Sequence, residues 1–452
     1  MRKKIRKLTA LLCAGTMALS MAACGSSGEE KKGDTGEKTD EKTEKTGETA
    51  ALEDALNPDE PVELTLWSIA TETDSYHNAF VKALEDFEKT YPNVKINMEI
   101  FENESYKTKL KSAVAANELP DIFYSWQGGF SQSFAEAGKM LDLDPYYETY
   151  KEELPESATS NARYVDGSLY GTSYSVNCSL LMYNKAMFEK YGLEAPETWD
   201  EFVSICQKFV DEGITPLTVS AKETWVLAVF HDALALKSAG NEKTVKTLTR
   251  QGGSYDDKDF LFAAEELEKL VKMGAFVDGA AGLTRLEAET LFTNGEVPML
   301  VQLANVCMDN YGIVENPEDF DVVPFPVVGG NAEITDMIGG CSESLMVSAN
   351  TENPDAAGYA AFELSKRIAD VAYADGVTSS PWTSTPKNDD ISEFGKKIEE
   401  YKAQATSYCL WWDTEMVADD ASEYLSLLEQ LFVGNISAED FVKGMDAQLS
   451  NE

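Results

Sequence analysis

VELTLWSIATETDSYHNAFVKALEDFEKTYPNVKINMEIFENESYKTKLKSAVAANELPDIFYSW, residues 62–126, is the stretch on which the fold turns. VELTLW alternates apolar and polar side chains, the period of a half-buried strand. Phe80, Leu84, Phe87 and Tyr91 recur at helical spacing, and Pro92-Asn93 stop that pattern. VKINMEI reads as a second strand. ESYKTKLKSAVAANELP reads as a second helix ended by Pro120, and DIFYSW as a third strand. Strands and helices alternating at this spacing build βαβ units with a parallel sheet. Ligands of open parallel sheets collect beyond the carboxyl ends of the strands. The residues just after Trp67, Ile100 and Tyr124 are therefore the first places to look for a site.

Downstream, TWDEFVSICQKFVDEG reads as a helix with Thr198 as its N-cap. Helical patterns follow over 224–239, 258–274, 284–294 and 353–373, with EVPMLVQL as a buried strand among them. Residues 418–450 read as a helix pair turning at Gly434-Asn435. The body, from about residue 61 to 452, exceeds the ~250–300 residues at which one core stops growing, so two lobes are expected.

Upstream, the reading changes character. MRKKIRK and an apolar run from Leu8 to Ala23 have the layout of an export signal over 1–23. The run is shorter than the ~20 residues a membrane-spanning helix needs. Met21-Ala22-Ala23-Cys24 resembles a bacterial lipobox, which implies that Cys24 receives a lipid and becomes the mature N-terminus. Residues 24–60, rich in Glu, Lys, Thr and Gly, read as a disordered acidic tether.

Losing residues 1–23, with five basic and no acidic side chains, moves the formal charge from −41 to −46. A chain this acidic lacks the basic footprint that nucleic acid requires. Only Arg163, Arg250, Arg285 and Arg367 remain, few for gripping an anionic ligand. His77 and His231 fit no zinc spacing, and no cofactor is expected. Cys178, Cys206, Cys307, Cys341 and Cys409 contain no CxxC, and five cannot all pair within one chain.

The order of motifs resembles that of the family 1 extracellular solute-binding proteins, the maltose-binding-protein-like receptors of ABC sugar importers. The stretch VDGSLYGTSYSVNCSLLMYNKAMFEKYGLEAPETWDEF carries the likeness, with Tyr183-Asn184-Lys185 and Thr198-Trp199. LPDIFYSW, ETLFTNGEVPMLVQL (Phe292, Gly295, Met299) and ENPDAAGYAAFEL follow in the same order. The resemblance implies an α/β, two-lobed periplasmic-binding-protein-like fold with discontinuous lobes and a hinge of crossing strands. By that mapping lobe 1 takes 61–174 and 329–378, and lobe 2 takes 178–328 and 383–452. It also implies a monomer, anchored to the membrane through its lipid alone, that hands a carbohydrate from the interlobe cleft to the transmembrane permease of an ABC importer.

A sugar offers apolar C–H faces and a rim of hydroxyls, so its site needs aromatic surfaces and neutral or acidic hydrogen-bonding groups. Positions matching the family's ligand-facing segments supply Trp126 and Gln127 after the third strand, and Glu223 and Trp225 at a helix start. Of Trp411, Trp412 and Asp413, at least one should face the cleft, and Asn177 lies on a crossover. Asn305 stands where many relatives have Trp. Glu72, after Trp67, is a further candidate. Two other classes fit the residues: a receptor for a polyamine or peptide, favoured by the acidity, and a surface glycoside hydrolase with paired carboxylates. No GxSxG or HExxH motif supports an enzyme.

Overall fold

The computed structural model describes residues 47–164 and 166–450. The expected signal segment, Cys24 and the first part of the expected tether lie outside the described residues. The strands are β1 (Val62–Ser68), β2 (Val94–Ile100), β3 (Ile122–Trp126), β4 (Gly171–Ser173), β5 (Asn177–Asn184), β6 (Met299–Leu303), β7 (Phe320–Pro324), β8 (Asp336–Gly340), β9 (Glu343–Val347) and β10 (Ser407–Cys409). They form two sheets.

The first sheet has the order β2-β1-β3-β9-β4. β2 and β3 flank β1 in parallel, as expected of two βαβ units, while β9 runs antiparallel between β3 and β4. In β1 the buried positions Leu64, Leu66 and Ser68 alternate with more open ones, which is the pattern read in VELTLW. The helices His77–Thr90 and Asn103–Ala116 connect the parallel strands. Phe80 and Phe87 of the first helix are buried with Tyr106 and Tyr124 in this lobe's core.

The second sheet centres on β5, whose eight residues are all buried. β6 and β7 pair with it antiparallel, and β8 pairs with its first two residues. β10 then lies parallel to β8. The helix Trp199–Asp211 starts with the capping box Thr198–Glu201, which ties down two N–H groups that the first turn would otherwise leave unpaired. A second core gathers Trp199, Phe202, Phe230, Trp412, Tyr424 and Phe441.

The chain passes between the sheets at 174–176 and at 341–342. It passes a third time after the helix Pro354–Ala374, on the way to the helix Glu393–Gln404. Val176 bridges to Ser379 and accepts from the Thr378 hydroxyl at 3.0 Å, which joins the first crossing to the third. Gly339, just before the second crossing, has φ +146°, and a Cβ there would lie 2.2 Å from the Asn177 carbonyl oxygen. Only glycine fits so close an approach.

Two expectations need correction. The family mapping puts residues 329–340 in the first lobe, but β8 belongs to the second sheet, because its edges are taken by β5 and β10. The stretch 24–60 is expected to stay unstructured throughout, yet Gly47–Leu56 is a helix. Leu52 and Leu56, four residues apart, are buried in the first core. Two buried leucines contribute about 1.5–3 kcal/mol each, enough to seat a short helix whose remaining residues are polar or small. The five cysteines are all buried free thiols.

Candidate ligand-binding cleft

One cleft of about 360 Å3 lies between the lobes, within the range of small-molecule sites. Its first-lobe wall is the carboxyl edge of the parallel strands. Thr71, Asp74 and Ser75 follow β1; Glu102, Asn103 and Lys107 follow β2; Tyr124 and Trp126 close β3. Ser342 and Glu343 enter the same edge from the second crossing. The second-lobe wall is built from chain turns and helix beginnings. Glu223 and Trp225 open the helix Thr224–Ala239, and Thr284 and Arg285 open the helix Arg285–Thr293. Leu303 and Asn305 lie where β6 passes into the helix Ala304–Ile313, and Trp411 and Asp413 follow β10.

Three tryptophans therefore share one cleft. Trp126 is held edge-on by Tyr124 and Phe130, each with ring centroids 4.9 Å away, and Lys107 Nζ sits 5.6 Å from its centroid. Trp411 donates its ring N–H to Ser179 Oγ at 2.9 Å, which fixes the plane of the indole. The buried ring N–H of Trp225 makes no hydrogen bond among the described residues.

The polar groups are organised around these rings. Arg285 donates its backbone N–H to Glu223 Oε1 at 2.7 Å, and its guanidinium pairs with Glu289 at 3.1 Å. Gln302 Nε2 also donates to Glu289, at 3.2 Å. Across the cleft, Asn305 Nδ2 donates to Ser75 Oγ at 3.2 Å, and the Ser75 hydroxyl donates to Asp309. These bonds join a first-lobe loop to a second-lobe helix. Five carboxylates line the cleft (Asp74, Glu102, Glu223, Glu343 and Asp413) against two cations, Lys107 and Arg285. Lys107 is paired with Glu104 at 3.0 Å. Burial pushes Glu343 and Glu289 up to about 7 and Asp309 to about 6, and it raises Asp74 and Asp413 above the usual carboxylate range.

The structure brings Trp126, Glu223, Trp225, Asn305, Trp411 and Asp413 to the cleft. It places four other candidates elsewhere. Trp412 is fully buried among His231, Tyr255 and Tyr424 in the second core, because consecutive residues at a helix start point to different sides. Gln127 is buried against β9, where its backbone N–H donates to Ser342 O at 2.6 Å and its side-chain amide to Ser344. Asn177 lies behind Asn305 and donates to it at 2.7 Å, so it orients a lining amide without itself lining the cleft. Glu72 is exposed on the loop, outside the cleft. The sequence reading missed Asp74, Glu343, Tyr124 and Arg285. Arg285 carried a readable signal, since it opens a helical pattern. Glu343 carried none, since an antiparallel strand inserted beside β3 leaves no mark on the βαβ pattern.

The profile of the bacterial extracellular solute-binding proteins matches residues 70–366. The chain belongs to that family. An ABC transporter extracellular-binding protein of Pyrococcus horikoshii, itself uncharacterized, is 26% identical to this solute-binding protein over 375 residues, 82% of this chain and 80% of the relative. The melibiose/raffinose/stachyose-binding protein of Bacillus subtilis is 26% identical over 247 residues, 50% of this chain and 54% of the relative. Among solved structures, a chain from work on xylan utilization by Caldanaerobius polysaccharolyticus superposes with a TM-score of 0.80 at 33% identity, covering 86% of this chain and 100% of that one. Family and superposition together establish a two-lobed solute-binding fold.

Proposed function

We propose that this protein is the extracytoplasmic receptor of an ABC importer and captures a neutral sugar or oligosaccharide between its lobes. The observation that carries the reading is the convergence of Trp126, Trp225 and Trp411, from both lobes, on one cleft edged by carboxyl and amide groups. Indole faces match the C–H faces of pyranose rings, and the acidic rim suits hydroxyl donors. Both cations of the lining already have carboxylate partners, which disfavours an anionic ligand. The family consists of binding proteins, and the cleft is read as holding its ligand chemically unaltered before passing it to the permease.

A thermal-shift panel tests this, because a ligand of the folded state raises the melting point by mass action. Xylotriose, raffinose and diacetylchitobiose are suitable neutral probes, with spermidine as the cationic rival. A rise with a saccharide and none with spermidine is the expected result; the reverse removes the sugar reading. The body is further proposed to be tethered as a monomer to the outer face of the cell membrane through a lipid on Cys24. Cys24→Ser should move the protein out of the membrane fraction, and retention there would defeat the anchor.

A further inference from the structure

The sheet floor of the cleft carries a group that composition does not single out. Glu343 opens β9 and Trp126 closes β3, and the two are direct partners in the antiparallel register. Directly opposed residues project from the same face of a sheet. Tyr124, two residues before Trp126 on β3, shares that face. Asp74 reaches the same region from the loop after β1, and all four line the cleft. Tyr124 is only 1% exposed, yet its hydroxyl makes no hydrogen bond among the described residues. A buried phenol left unpartnered beside an open cleft is a group awaiting a partner from outside. Glu343 is held in place from behind by the Ser175 hydroxyl, which donates to it at 2.7 Å, and Asp74 by the Tyr76 backbone N–H at 2.9 Å.

We propose that Glu343, Asp74 and Tyr124 form a hydroxyl-reading subsite at the edge of Trp126, where a sugar ring stacked on the indole sets two neighbouring hydroxyls against the carboxyls and the phenol. This rests on the sugar reading above and names the groups that would decide which ring is accepted. Asp74 and Glu343 are both half-buried and lie close enough to act on each other, and two such carboxyls do not both ionise readily. The charged and titratable groups around Glu343 are Asp74, from the loop after β1, and the tyrosines Tyr76, Tyr124 and Tyr174. Arg285 and His77 act on Asp74. With burial holding Glu343 up to about 7, its carboxyl carries a proton near neutrality and can donate, while Asp74 accepts. A donor beside an acceptor suits a pair of adjacent hydroxyls, each of which can do either.

In the ligand-free cleft burial already holds Glu343 up to about 7, so only its protonated form donates to a ligand hydroxyl, and above that pH binding must first take up a proton. Affinity is then fullest at acid pH and falls as pH rises through about 7.

The test is calorimetric titration with xylotriose, raffinose and diacetylchitobiose at several pH values. For whichever binds, wild-type affinity should drop about ten- to thirtyfold between pH 5.5 and 8.5. Glu343→Gln keeps shape and donor capacity and should bind with nearly flat pH dependence. Glu343→Ala should lose about thirtyfold or more at pH 5.5, and Tyr124→Phe about fivefold. The melting points of ligand-free Glu343→Gln and Tyr124→Phe should stay near wild type, which separates lost recognition from lost folding. If wild type binds none of the three sugars, the sugar reading falls and this subsite with it. If wild type binds but Glu343→Gln keeps the same pH slope, or Tyr124→Phe binds unchanged, the subsite alone is overturned.

Discussion

The two walls of the cleft are made differently. The first-lobe wall is a sheet edge: its groups stand at the ends of β1 and β3 and at the start of β9, and the strand register sets their spacing. The second-lobe wall is an assembly of helix beginnings, and its groups are held by side-chain contacts such as Trp411 to Ser179 and Arg285 to Glu289. Adjacent residues on this wall are used differently: Trp411 packs into the second core but still borders the cleft, while Trp412 is wholly enclosed by that core. The lesson is that a strand fixes direction by alternation, whereas a helix start fixes it through its packing partners.

The sharpest way to break that comparison is the Trp pair. Trp412→Ala should lower stability by about 3–5 kcal/mol through the cavity it leaves, with ligand affinity of the folded fraction unchanged; chemical denaturation and titration measure the two separately. Trp225→Ala should do the opposite, weakening binding by about 1–3 kcal/mol while barely moving the denaturation midpoint. Equal loss of binding in both would show that the second-lobe wall is not divided between core and cleft.

The second core also responds to acid in its own way. His231 is fully buried against Trp412 and Tyr424, and burial pushes its imidazole down to about 3. The unfolded chain takes that proton near 6.5. The stabilising contribution is thus complete above about 6.5 and is lost as pH falls toward about 3, at about 1.4 kcal/mol per unit. Two carboxyls behind the cleft lining act in the other direction. Asp309 and Glu289, held up to about 6 and about 7 by burial, favour the folded state at low pH and lose that contribution as pH rises through those values. His231→Gln should flatten the acid limb of melting point against pH; an unchanged limb would place the acid sensitivity elsewhere. Smallest is Ser75→Ala, which removes the hydroxyl that joins Asp309 and Asn305 across the cleft. It should weaken ligand binding by about 0.5–1.5 kcal/mol, read by titration, with stability nearly unchanged.

The same contrast explains what the sequence disclosed. Period-two alternation in VELTLW and helical spacing in HNAFVKALEDFEKT rest on local geometry, so β1 to β3 and their helices are legible in the amino-acid order alone. Trp126 is legible because it ends such a strand. Glu343 is not, since its neighbour on β3 is set by long-range pairing. Leu52 and Leu56 escape notice because two apolar residues in an acidic run gain meaning only from the core that receives them. Trp412 is misplaced because no local rule says which of two consecutive indoles a core will enclose completely and which it will leave bordering a cleft.

The central claim is that two lobes hold a carbohydrate by its flat faces and release it unaltered. Its most direct measurement is calorimetry with the three neutral saccharides, followed by product analysis of the same samples. The account predicts one ligand bound per chain, in the micromolar range or tighter, and recovered intact. Spermidine bound in place of every saccharide, or cleaved sugar in the recovered sample, would contradict it.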